Sequence, residues 1–258
     1  MQGPRDYPEP LITLIKRVDV LEVISYGCTH KREIEDDLDI SRATIDRAIR
    51  RLDDCGIVER DGPECQLTLY GRLLLETYQT LSEEINRLAE AQEILSALPD
   101  ETKFNTNFIA NAKITTCTSA SPLTIYRKTE RVLRQSNHIR GIYPVLPPYS
   151  IDLLESLDEQ GTTLELICSD EVIEEMVTNY GERLTGLFGT DKHNLFRGQG
   201  EALPIYRLLI SDNAEVILLA YNENMSLCGG LFNTSRSAIE WGEQRFKQVC
   251  SETEIVNF

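Results

Sequence analysis

The sequence contains one tryptophan, three histidines, seven lysines and no run of eighteen apolar residues. Each shortage excludes something. The longest clean apolar run, "VILLAY" from Val216 to Tyr221, has the size of a strand, so no segment is expected to span a bilayer. The first ten residues, "MQGPRDYPEP", lack the apolar core of a signal peptide, and the expected compartment is the cytoplasm. Seven cysteines with no CxxC pair predict reduced thiols, without a disulfide framework or a zinc site. A thiol-based redox sensor stays open. Walker-type and GxGxxG loops are also missing, and "RGQG" and "CGGL" read as turn or strand-packing glycines. No metal, no cofactor and no enzymatic activity are expected.

What the chain has in excess is negative charge, with 42 Asp and Glu against 26 Lys and Arg for a net of −16. A polyanion repels nucleic acid. Arginine, however, outnumbers lysine 19 to 7, and the acids are spread along the whole chain, as suits a protein working in strong salt. At about 1 M salt the Debye length is ~3 Å, so only close contacts matter. An ordinary acidic protein has the same totals, and composition alone leaves both readings open. At 258 residues and 41% apolar content, the chain can bury two modest cores.

Periodicity organises the first seventy residues. Leu11, Leu14 and Ile15 predict one helix, and Val18, Leu21 and Ile24 a second. After the break at "YGC", Thr29 stands at an N-cap position, with Ile34 and Leu38 as the apolar side of a short helix. Ser41 caps the next helix, in which Ile45, Ile49 and Leu52 recur at the spacing of a buried stripe. That leaves Arg42, Thr44, Asp46, Arg47, Arg50 and Arg51 off the stripe. "IVER" and "QLTL" follow as two β-runs joined by the turn "DGPE". Helix, turn, helix, hairpin is the order of a winged helix-turn-helix, whose second helix enters the major groove while flanking groups hold phosphates.

Ser41, Arg42, Thr44 and Arg47 are therefore expected nearest the bases. Arg50 and Arg51 lie further along, where backbone contacts or salt bridges to neighbouring acids are expected. Lys31, Arg32, Arg60 and Gln66 are candidate phosphate partners. Residues 1–75 hold 11 basic and 15 acidic residues, so affinity for DNA has to come from placement. The alternative is a winged-helix protein–protein interaction module that reads no DNA.

From Tyr70 to Leu98 there is no proline, and Leu74, Tyr78, Leu81, Ile85, Leu88, Gln92 and Leu95 fall at alternating spacings of four and three. That is a heptad seam with one polar interruption. It predicts either a homodimer, presenting two reading heads to half-sites about one helical turn (~34 Å) apart, or a helix packed on its own chain. The expected division is a DNA-binding domain at 1–72, a linker and dimerisation helix at 73–98 and an effector-sensing domain at 99–258.

Beyond Pro99, strands and helices alternate: "KITTCTS", then the helix "PLTIYRKTERVLRQSN", then "HIRGIYPVL". "SIDLLESLDEQG" and "DEVIEEMVTNYGERLTGLF" are helices around the strand "TLELICS". Four further β-runs, "HNLFRG", "IYRLLIS", "EVILLAY" and "SLCGGLF", precede a last helix, "SAIEWGEQRFKQVCS". The early alternation implies parallel pairing and the later runs imply hairpins, which together predict a mixed α/β sandwich. Cys168 and Cys228 read as core residues, and Trp241 as helix-to-sheet packing.

Residues 17 to 250 resemble archaeal winged-helix transcriptional regulators carrying the effector domain first described in methanogenesis regulators, abundant in halophilic archaea. The resemblance rests on "THKREIEDDLDISRATIDRAIRRLDDCGIVERDG", on "SPLTIYRKTERVL" before "IRGIYPVL", on "LPIYRLLISDNAEVILLAY" and on "SRSAIEWGEQRF". The first motif is specific only to the winged-helix superfamily. The order of the later ones is more telling. The resemblance implies a sequence-specific regulator acting on promoter or operator DNA, with an effector domain like a phospholipase D fold without its chemistry. That chemistry needs HxK, and His30, His138 and His193 are followed two residues on by Arg32, Arg140 and Leu195. Candidate contacts for a small-molecule effector are Tyr143, His193, Arg197, Tyr206, Arg207 and Tyr221. Arg197 and Arg207 suit a carboxylate or phosphate, or else form rim salt bridges.

Overall fold

The computed structural model describes residues 7–27, 29–62, 64–100, 102, 106–117, 123–147, 149–198, 203–212 and 215–258. Cys28 of "YGC", Pro63 of "DGPE", the last two residues of "KITTCTS", the first of "PLTIYRKTERVLRQSN", the end of "RGQG" and residues 213–214 between "IYRLLIS" and "EVILLAY" lie outside the described residues. The chain divides into two compact units, Met1–Glu83 and Glu84–Phe258.

The first unit opens with α1 (Glu9–Lys16), α2 (Val18–Ser25), α3 (Lys31–Leu38) and α4 (Arg42–Asp54). Strands β1 (Val58–Asp61) and β2 (Glu64–Leu67) follow, antiparallel with Val58 opposite Leu67. The cap of α3 falls on His30, one residue after Thr29, whose carbonyl instead accepts from Cys65 N at 2.9 Å. Asp39 turns the chain after α3 with a φ of 51°. Ser41 then starts α4, its Oγ accepting from Thr44 N at 3.4 Å. Ile45, Ala48, Ile49 and Leu52 are fully buried against Leu14, Leu21, Ile34 and Ile57. A Schellman motif ends α4: Gly56 N donates to Asp53 O, and Ile57 N to Leu52 O. The φ of 69° at Gly56 is the left-handed geometry that this motif requires.

Helix α5 (Leu69–Glu90) crosses the boundary between the units, and α6 (Gln92–Ser96) follows. The single helix expected from 70 to 98 is thus two, separated at the fully buried Ala91. Gly71 is required where α5 begins, because a Cβ there would lie 1.9 Å from the Ile57 carbonyl oxygen.

The second unit continues with α7 (Thr106–Ala110), β3 (Lys113–Thr116), α8 (Thr124–Leu133), β4 (His138–Tyr143), α9 (Ser150–Glu159), β5 (Thr163–Ser169) and α10 (Asp170–Phe188). It closes with β6 (Asn194–Gly198), β7 (Tyr206–Ser211), β8 (Glu215–Tyr221), β9 (Leu227–Asn233), α11 (Arg236–Cys250) and β10 (Thr253–Ile255). The eight strands form one mixed sheet ordered β10-β6-β5-β4-β7-β8-β9-β3. Strands β4, β5 and β6 are parallel, and every other pairing is antiparallel. The alternation of β3, α8 and β4 does not make a parallel pair, since β3 sits at the far edge against β9.

Both faces of the sheet are covered, in keeping with the near-continuous apolar run of β8. One face packs on Ile125 and Leu133 of α8, Leu154 and Leu157 of α9, and Met176 and Leu184 of α10. The other packs on Ile94, Phe108 and Phe246, with Trp241 edge-on to Phe108 at 5.1 Å. Cys168 is buried among apolar groups, which pushes its thiol up to about 12. Cys228 is only partly covered.

Candidate functional site

Two arrangements of side chains stand out, one in each unit. In the first, the stripe of α4 that faces the core leaves Arg42, Arg47 and Arg50 exposed, with Thr44 half-buried beside the cap. Ser41 Oγ lies 3.0 Å from Thr44 Oγ1, so both hydroxyls are held at the helix start. Arg47 Nε donates to the Ala43 carbonyl at 3.1 Å, which orients its guanidinium along the helix. Among the described residues, Arg32, Arg42, Arg47 and Arg50 have no carboxylate within ion-pair distance.

The remaining predicted contacts are occupied within the unit. Lys31 Nζ donates to Asp46 Oδ1 at 2.7 Å, and that bond, with the nearby charges of Lys31, Arg42 and Arg50 against a small burial penalty, holds the Asp46 carboxyl below its ordinary range. Arg51 pairs with Glu9 of α1. Arg60 pairs with Asp53 at 2.6 Å, and Gln66 donates across the hairpin to Glu59 at 2.6 Å. The sequence displays these acids but not which cation each one takes. A feature the sequence did not single out is a cleft of about 560 Å³ between α1 and α4, where Lys16 and Arg17 join Arg47 and Arg51.

In the second unit the six effector candidates separate. His193 is buried and fully engaged: Leu164 N donates to its Nδ1 at 3.1 Å, and its Nε2 donates to Asp158 at 2.9 Å. Arg197 pairs with Asp170 at 3.2 Å. Tyr206 points to the opposite face of the sheet and accepts from Arg245 Nε at 2.9 Å. Tyr143, Arg207 and Tyr221 share the other face, at the ends of β4, β7 and β8, because alternate residues of a strand point the same way.

Arg207 is 3% exposed, and its guanidinium carbon lies 4.0 Å from the centre of the Tyr143 ring. That ring can lie back over the sheet because residue 141 is glycine; a Cβ there would meet Tyr143 Cε2 at 2.5 Å. Arg207 reaches a cavity of about 330 Å³ whose walls include Tyr126, Thr129, Pro147, Tyr149 and Leu153. Among the described residues, Arg207 Nε and Thr129 Oγ1 are buried without a hydrogen-bond partner. Tyr126 and Thr129 were not expected at a site. The available signal was Thr129 itself, a hydroxyl where the stripe of Ile125 and Leu133 calls for an apolar residue.

The family described as "Methanogenesis regulatory protein FilR1, middle domain" matches residues 122–252, and the HVO_A0261 N-terminal domain matches residues 5–90. The first match spans half of the chain and contains the whole Arg207 cavity. The chain belongs to the FilR1 middle-domain family. Among solved structures it is similar to TrmBL2, an archaeal chromatin protein whose structure shows a novel mode of DNA binding. That likeness has 12% identity, covers 97% of this chain and 100% of that one, and has a TM-score of 0.43. A phospholipase D family member, Nuc from Salmonella typhimurium, matches at 9% identity over 57% of this chain and 99% of its own, with a TM-score of 0.44. Comparison with curated protein sequences returned no match.

Proposed function

We propose that the protein is a DNA-binding transcription regulator of archaeal type, in which the first unit is a winged helix-turn-helix and the second a sensing domain. The observation that carries this reading is the two-sidedness of α4. Four fully buried apolar residues anchor the helix, and Arg42, Arg47 and Arg50 extend from its other side, close to a capped N-terminus. This matches how a recognition helix meets a major groove, with base contacts near its start and phosphate contacts around it. Membership of a regulator family over the second unit supports the sensing role.

The acidic, arginine-rich composition fits DNA binding in strong salt, as in halophilic archaea. Action as a homodimer fits the exposed seam of Leu81, Ile85 and Leu88 on α5, which are 50%, 55% and 37% exposed. Leu74 and Tyr78 lean on the core of the first unit and Leu95 on that of the second, so only the middle of the predicted seam is free for a second copy. No helix among the described residues is long and apolar enough to cross a membrane.

A protein-interaction module is the second reading, favoured by the internal pairing of Lys31, Arg51 and Arg60. Fluorescence anisotropy against the upstream region of its own gene and a scrambled duplex, across a salt series, separates the two. Sequence-selective binding supports the regulator, and equal weak binding to both duplexes supports the interaction module.

A further inference from the structure

We infer that the cavity over Arg207 is an oxyanion site for a small aromatic or cyclic molecule carrying a carboxylate or a phosphate monoester. A buried guanidinium normally has a carboxylate partner, because an uncompensated charge is expensive to desolvate. Arg207 has none within ion-pair distance among the described residues. The acids on the cavity wall are committed elsewhere, Glu130 to Arg134 at 2.8 Å and Asp152 to Arg183 at 2.6 Å.

What Arg207 does have is Tyr143, whose ring lies against the guanidinium, with the hydroxyls of Tyr143, Tyr221 and Tyr126 close by. Among the described residues its Nε–H has no acceptor, and the hydroxyl of Thr129 on the same cavity wall has no partner. Arg207 and Thr129 both line the cavity, so an oxyanion bound there meets a guanidinium and a hydroxyl. The other walls, Leu123, Tyr126, Pro147, Tyr149 and Leu153, suit a flat apolar body, and about 330 Å³ is the size of a small-molecule pocket. The cavity lies at the carboxyl end of β4, the end of a parallel strand at which α/β sheets hold ligands.

This inference rests on the sensing-domain reading only for its consequence, so binding is measured on the full chain without DNA. Isothermal calorimetry with benzoate, phenyl phosphate and the uncharged benzamide tests it. One or both anions bind the wild type, benzamide binds at least tenfold more weakly, and Arg207→Met weakens the bound anion at least tenfold. A preference between the anions separates carboxylate from phosphate chemistry. If Arg207→Met does not fold, Thr129→Val, which keeps the charge, still weakens the anion severalfold. Failure of both anions to bind at about 10 mM overturns the inference, as does binding indifferent to both substitutions. A chain that binds the anions but no DNA loses the regulator reading and keeps this one, whereas selective DNA binding without anion binding does the reverse.

Discussion

Lys31 and Asp46 are joined by a hydrogen-bonded ion pair of 2.7 Å that ties the start of α3 to the exposed side of α4. The pair holds a negative charge among the arginines proposed to meet DNA and occupies a cation suited to a phosphate. Asp46→Asn is expected to tighten binding to any duplex about three- to tenfold at low salt, and to steepen the salt dependence by about one ion. Titrations at several salt concentrations check both numbers. An unchanged slope would mean that Lys31 stays out of contact with the backbone.

The seam on α5 yields a prediction about assembly. Leu81→Glu combined with Ile85→Glu places like charges where two helices would meet, at positions that are solvent-exposed within one chain. The fold should lose less than about 1 kcal/mol, while light scattering at micromolar concentration changes from dimer to monomer. A wild type that is already monomeric at that concentration would remove the seam from the account.

Asp158 accepts hydrogen bonds from Lys192 and from the buried His193, and those bonds hold its carboxyl below its ordinary value of 3.8. A lowered carboxylate contributes stability that is fully present above that value and lost as pH falls through the lower folded value. Asp158→Ala should cost about 1–3 kcal/mol near neutral pH, chiefly by leaving His193 Nε2 buried without an acceptor. The deficit should shrink in acid. Chemical denaturation at several pH values checks the sign.

Gly141 supports the site from beneath. A Cβ at this position would push into the Tyr143 ring, so Gly141→Ala should destabilise the chain by about 1–3 kcal/mol and shift the aromatic support of Arg207. Thermal unfolding and anion calorimetry should change together. Retention of both would show that the ring has room to move.

Much of the scaffold was legible because periodicity and caps act locally. The stripe of Ile45, Ile49 and Leu52 and the cap at Ser41 specify α4 from thirteen residues. Likewise the runs "TLELICS" and "EVILLAY" correspond to β5 and β8 residue for residue. What sequence hides is pairing at a distance. Nothing in "KITTCTS" reveals that β3 crosses to the far edge beside β9, since β-propensity depends on the neighbours that a strand meets and does not say which strands they are.

The same limit divides the effector candidates. Tyr206 and Arg207 are neighbours in sequence and lie on opposite faces of the sheet, so residues chosen as polar or aromatic near strand ends were bound to separate. His193 carried no sign that Asp158, thirty-five residues earlier, would hold its ring. The short strand β10, which extends the sheet beside β6, also follows from tertiary pairing rather than from a pattern in its three residues.

The most direct test of the central claim is the affinity of Arg42→Ala and Arg47→Ala for the selected upstream duplex, measured beside a scrambled duplex in the same salt. Each substitution is predicted to cost about 1–3 kcal/mol on the selected sequence and much less on the scrambled one, narrowing the gap between the two. Selective binding that survives both substitutions unchanged would contradict the account, because the outward side of α4 would then not be what meets DNA.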